Sequence, residues 1–232
     1  MRTAGVHFVT ITGMKHLRGK FIVLDGGEGC GKSTQAALVG AALEKAGVPT
    51  VLVRDPGSTR IGELVRGILL DPSHSEMSMR CEMLLYMAAR AQMMKQIILP
   101  ALAEKKCVIS DRFVSSTLAY QLGGDGLSSA DIRKVGDVAV SGHWPDLTII
   151  LGISVEKSAD RLMGSTKQRS QQASSSLFAD RIEQRPDEYH QRVYENYLAQ
   201  AKEDPKHVRV VDADRDREAV LADILELLKS LK

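Results

Sequence analysis

Apolar residues fall along this chain in two alternating rhythms. Short, mainly apolar runs stand at 21–24, 50–54, 107–110, 147–151 and 208–211, and each gives way to a charged residue or glycine. Runs of that length bounded by turn formers predict buried strands. Between them apolar positions recur every three or four residues, at 34–46, 60–71, 79–104, 128–142, 155–164, 180–204 and 217–232, which predicts helices. Gly47, with Pro49 close behind, is placed to cap the first helix. Ser128 or Ser129 opens the fourth. Pro100 predicts a kink or a break within 79–104. The stretch 165–176, "STKQRSQQASSS", holds no large apolar residue and reads as a loop.

Strands alternate with helices and no internal repeat is visible, so the expected fold class is α/β: three layers around a five-stranded parallel sheet. Ligands of such sheets bind beyond the carboxyl ends of the strands. The conspicuous polar clusters, 26–34, 54–59 and 111–121, all follow strand ends. That coincidence points to a small-molecule enzyme.

Composition removes several other classes. The 232 residues carry a net charge of +2 and only 4% aromatics, which argues against a nucleic-acid stacking platform. No run of 18 apolar residues exists, so no membrane span is expected. Cys30, Cys81 and Cys107 are odd in number and none forms C-x-x-C. That argues against a disulfide framework or zinc site and suits a cytoplasmic protein. Residues 1–18 are weakly basic, with an apolar stretch broken by Thr, His and Gly. They read as a disordered extension rather than a secretory signal, ahead of a domain over 19–232.

The chemistry begins in "FIVLDGGEGCGKSTQ", residues 21–35. Gly26 to Ser33 matches G-x-x-x-x-G-K-[ST], with a strand before it and a helix after it. Glycines let consecutive amides point inward, and the helix start adds its positive end. Gly26, Gly27, Glu28, Gly29, Cys30, Gly31, Lys32, Ser33 and Thr34 are therefore the expected ATP cradle. Lys32 reaches the β- and γ-phosphates and Ser33 binds Mg²⁺. A phosphate loop alone does not name a reaction. A guanine-specifying N-K-x-D is absent, and the third strand ends in Asp111–Arg112 rather than Asp-Glu. An arginine there suits a second phosphate-bearing substrate.

With these residues the chain resembles the thymidylate kinase family of nucleoside monophosphate kinases, over residues 19–228. The resemblance is carried in order by the phosphate loop, "RDPGSTRIGELVR", "LLYMAAR", "SDRFVSSTLAYQ" and "PDLTIIL…DRIEQRPDEYHQRV". It implies Mg²⁺-dependent transfer of the γ-phosphoryl group of ATP to dTMP, giving dTDP and ADP, for dTTP synthesis. It implies that Tyr86 stacks on thymine and that Arg90, one turn on, bonds the carbonyl at position 4. Thr117 stands where the family often has Asn or Gln at the pyrimidine edge. Tyr120 lies against the deoxyribose, and Arg54 and Arg112 hold the acceptor phosphate.

The resemblance further puts Glu28 near the 3′-hydroxyl, and Asp111 beside Mg²⁺ through water. Asp180 and Glu183 come close to the nucleotide and metal; a helix start would equally favour two such acids. A cis peptide is implied at Asp55–Pro56. A lid over 164–180 supplies Arg169 as the clamp over ATP, and a homodimer forms, with the Met-rich helix 79–104 as candidate interface. Packing alone would also explain Tyr86, and a solvated surface would explain Tyr120 or Arg169. The alternatives are a kinase for other pyrimidine nucleoside monophosphates, and a nucleotide-binding regulator that has lost transfer.

Overall fold

A computed structural model of the chain describes residues 13–161 and 180–231. Five parallel strands, β1 (Phe21–Asp25), β2 (Thr50–Arg54), β3 (Cys107–Asp111), β4 (Leu147–Gly152) and β5 (Val208–Asp212), form one sheet in the order β2-β3-β1-β4-β5. All five expected strands are present. Four run one residue further than their apolar cores, which brings Asp25 and Asp111 into the ladder at their strand ends.

β1 and β3 are buried along their whole length, as parallel strands covered on both faces must be. Their side chains alternate between two cores. Ile22 and Leu24 point to one formed with α1 (Lys32–Lys45) and α9 (Arg217–Ser230). Phe21 and Val23 point to the other, formed with α3 (Met79–Met93), α4 (Leu99–Ala103), α5 (Val114–Tyr120) and α6 (Ser129–Val140). The remaining helices are α2 (Arg60–Leu70), α7, whose described part is 155–161, and α8 (Asp187–Glu203).

Several expectations need correction. Pro100 does not break the helix at 79–104. A wide turn over Met94–Ile98, in which the Leu99 N–H reaches the Met94 carbonyl five residues back, joins α3 to α4. Pro100 then sits in the first turn of α4, where its missing N–H costs nothing. Met83, Met87, Met93 and Met94 of this helix lie in the molecule's own core, while Leu84 is exposed. The helix expected from 180 starts only at Asp187. Pro186 takes an extended conformation before it, and 180–185 form turns. The extension expected over 1–18 is too long at its inner end. Met14–Leu17 form a 3₁₀ turn whose Met14 and Leu17 are fully buried against α1 and α9. His16 Nε2 meets the Leu228 carbonyl at 3.0 Å. Residues 1–12 lie outside the described residues, as do Arg169 and the expected lid apart from Asp180.

Candidate active site

The loop after β1 is shaped by its glycines. Gly26 has φ +141°, and a Cβ there would stand 2.7 Å from the Leu151 carbonyl oxygen of β4, so no other residue fits. Gly31, also left-handed, is the N-cap of α1, which begins at Lys32. Cys30 is buried as a small filler. Lys32 folds back over the loop, its Nζ donating to the Gly27 carbonyl at 2.6 Å and the Gly26 carbonyl at 3.2 Å. Ser33 Oγ donates to Asp111 Oδ2 at 2.5 Å. The two expected metal residues are thus together.

That pair tests the fit of a divalent cation. A hydroxyl and a carboxylate converge at the phosphate loop, and no cluster of three or more metal-ligating side chains occurs among the described residues. Mg²⁺ in nucleotide sites takes one or two protein oxygens, substrate phosphates and water, so the donor set fits it.

Beside the loop lies a cleft of about 540 Å³. Glu28, Tyr86, Arg90, Arg112, Thr117, Tyr120 and Asp180, seven of the expected substrate residues, line it. Arg90 is its buried floor. Its Nε donates to Asp55 Oδ2 at 2.6 Å, its Nη1 to Thr117 Oγ1 at 3.3 Å and its Nη2 to the Phe113 carbonyl at 3.0 Å. The Asp55–Pro56 peptide is cis. Tyr86 is half-buried in the cleft wall, and Tyr120 is buried, not a surface tyrosine.

Arg112 stands where the cleft meets the loop. Its φ of +72° is rare for a residue with a side chain. Its N–H donates to the Leu24 carbonyl at 3.0 Å, and its carbonyl accepts from Ser110 Oγ at 2.6 Å, which hold the turn. The guanidinium is ion-paired with Glu28, donates to Ser116 Oγ and the Gly26 carbonyl at 3.2 Å, and stacks on the Tyr120 ring at 5.3 Å. Burial pushes the Glu28 carboxyl up, but Arg112, Lys32 and the Tyr120 hydroxyl outweigh it and hold the pKa at about 2.

Two expected residues sit elsewhere. Arg54 is 52% exposed and paired with Glu63 at 3.0 Å, outside the cleft lining. Glu183 lines a neighbouring cleft with Gly27, Val155 and His190, while Asp180 Oδ1 accepts from the Ile182 and Glu183 amides at 2.9 Å in a turn rather than a helix start.

Three residues were missed. Arg66 of α2 lines the cleft and donates to the Pro56 carbonyl at 3.2 Å; burial, with Arg54 beside it, lowers its pKa. A signal existed. Gly62, four residues earlier, is pressed so close to the 55–59 loop that a Cβ would meet the Gly57 carbonyl at 2.5 Å, and Arg66 shares its helix face. Gln121 also lines the cleft, and its Nε2 donates to Glu82 Oε1 at 2.7 Å. Glu82, fully buried in α3, accepts from Arg181 and Arg185 as well, tying the cleft's floor to the 180–185 turns.

Comparison with known proteins accords with this geometry. A family model described as thymidylate kinase matches residues 24–224. The thymidylate kinase of Pelotomaculum thermopropionicum is 43% identical over 210 residues, covering 90% of this chain and 93% of that protein. That of Symbiobacterium thermophilum is 41% identical over 211 residues, covering 91% and 93%. A crystal structure of thymidylate kinase from Ehrlichia chaffeensis matches with a TM-score of 0.69 at 27% identity, over 90% of this chain and 98% of that one.

Proposed function

The chain belongs to the thymidylate kinase family, and on that premise we propose that it transfers the γ-phosphoryl group of ATP to dTMP, giving dTDP and ADP. The observation that carries the reading is the position of Arg112. It joins the phosphate loop, through Glu28 and the Gly26 carbonyl, to a cleft floored by Arg90 and Thr117.

The ATP phosphates lie on the amides of residues 26–33, at the start of α1. Lys32 leaves the loop carbonyls for the β- and γ-phosphates. Ser33 and, by way of water, Asp111 would hold Mg²⁺, which would supply positive charge against the phosphates. Arg112 and Arg66 grip the acceptor phosphate, since the guanidinium fork matches phosphate oxygens. Arg54, paired with Glu63 just outside the cleft lining, turns to the same phosphate. Arg90 donates to the 4-oxo group of the base, with Thr117 at its edge and Tyr86 against its face. Tyr120 crowds the sugar's 2′ position, and Glu28 turns to the 3′-hydroxyl. The acceptor is already an anion, so the residues position and stabilise and no strong base is required. Arg169 completes the grip on ATP.

A two-fold dimer accords with the surface. Ile61, Leu64 and Ile68 form an apolar stripe on α2, with Leu84 of α3 also exposed. No helix among the described residues is long and apolar enough to cross a membrane, and the free cysteines suit a reducing cytoplasm.

The test is ADP release with ATP, Mg²⁺ and each of dTMP, dUMP, UMP, dCMP and dGMP. dTMP is expected to be preferred. Equal turnover of UMP would remove Tyr120 as the sugar filter and make the protein a broader pyrimidine kinase.

A further inference from the structure

Asp25 ends β1 with no exposed surface, and its carboxylate is shared by the two halves of the site. Three donors converge on Oδ1: the Gly26 N–H at 2.9 Å, Ser116 Oγ at 2.8 Å and the Tyr197 hydroxyl at 2.7 Å. Ser115 Oγ, at 2.5 Å, and Ser116 Oγ, at 3.0 Å, serve Oδ2. Gly26 opens the phosphate loop, and the serines belong to the first turn of α5, directly after Arg112.

Arg112 Nη1 stands 3.6 Å from Oδ1 and donates instead to the Gly26 carbonyl, Ser116 Oγ and the Tyr197 hydroxyl. A free arginine–carboxylate contact closes to about 2.7–2.9 Å. The neutral donors already fill Oδ1, so Arg112 feels the charge of Asp25 without docking on it. Its Nη2 is left to face Glu28. Tyr197 touches the others directly: its hydroxyl also accepts from Arg112 Nη1 at 3.5 Å and lies 3.1 Å from Ser116 Oγ. It comes from α8, is fully buried, and lines neither the acceptor cleft nor its neighbour.

We propose that Asp25 and Tyr197 are positioning residues for phosphoryl transfer: the Tyr197 hydroxyl occupies Asp25 Oδ1 and so keeps Arg112 extended toward the acceptor phosphate, in register with the phosphate loop. The proposal rests on the kinase reading. Without the hydroxyl, Oδ1 has a vacant lone pair, Arg112 closes on it, and its guanidinium withdraws from the acceptor. Displacements of that size cost about ten- to a hundredfold in rate.

The experiment uses six proteins: the unaltered chain, Tyr197→Phe, Arg112→Lys, Asp25→Asn, and Tyr197→Phe combined with each of the other two. Each is assayed for dTMP turnover, titrated calorimetrically with dTMP, and checked by thermal melting. Tyr197→Phe is expected to lower kcat/KM for dTMP at least tenfold with the KM for ATP unchanged. In the Arg112→Lys background the same change is expected to cost less than twofold. Asp25→Asn, which has no charge to draw Arg112, is expected to make Tyr197→Phe equally silent. A Tyr197→Phe enzyme within twofold of the unaltered chain would overturn the proposal. So would an equal loss in both backgrounds, the mark of a structural role. Failure of the unaltered chain to turn over dTMP would instead overturn the kinase reading, and the calorimetric cycle would still decide whether Tyr197 acts through Arg112.

Discussion

Glu28 of the phosphate loop and Arg112 after β3 are ion-paired, and the Tyr120 hydroxyl donates to the same carboxylate at 3.2 Å. The carboxyl's pKa is about 2 in the fold, against an ordinary value of 4.5. A depressed carboxyl adds stability that is complete above its unfolded pKa and lost as the pH falls through the folded one. Glu28→Gln is therefore expected to melt below the unaltered protein at pH 7, with the gap closing between about pH 4.5 and 2. Melting curves across that range check it; a gap that stays constant would show that the pair contributes nothing.

Arg90 and Asp55 are each only 1% exposed and paired at 2.6 Å. Removing one charge strands the other in the core, at a cost of about 3–5 kcal/mol. Arg90→Met should lose that much in denaturant unfolding, and Arg90→Met with Asp55→Asn should recover part of it. A double variant no more stable than Arg90→Met would contradict the pairing argument.

Glu82 makes a different prediction. Its partners Gln121 and Arg181 are, or adjoin, residues that line the acceptor cleft, whereas none belongs to the phosphate loop. Glu82→Gln should raise the KM for dTMP about tenfold or more through loosened positioning while that for ATP stays within twofold. Equal changes in both would mark general destabilisation.

Leu64 is 60% exposed at the centre of the α2 stripe. Leu64→Glu is expected to turn a dimer into a monomer in light scattering with the melting curve still cooperative. A monomeric unaltered chain would refute the interface.

The sheet and the phosphate loop were legible because their signals are local: short buried runs, and glycines at fixed spacing before a lysine. Arg90 and Arg112 were legible through motif resemblance. What escaped is written in distant pairs. Tyr197 meets Asp25 across 172 residues, and Arg181 meets Glu82 across 99, so no spacing encodes either contact. Met14 and Leu17 looked like part of a frayed end because the α9 surface they cover lies at the other end of the chain. Arg54 drew attention because it opens a prominent motif, whereas Arg66, at the end of the same segment, lines the cleft and Arg54 pairs with Glu63 outside that lining. Pro186 was visible all along; a proline inside the 180–204 pattern delays the helix to Asp187.

The central claim is that the phosphate loop and the Arg112 cleft act on two nucleotides at once. The direct measurement is to mix the protein with γ-labelled ATP, Mg²⁺ and dTMP and separate the products by anion exchange. The account predicts label in dTDP, one for each ADP formed, and its loss in Lys32→Ala. Bound ATP with no labelled dTDP, or label appearing only as inorganic phosphate, would contradict it.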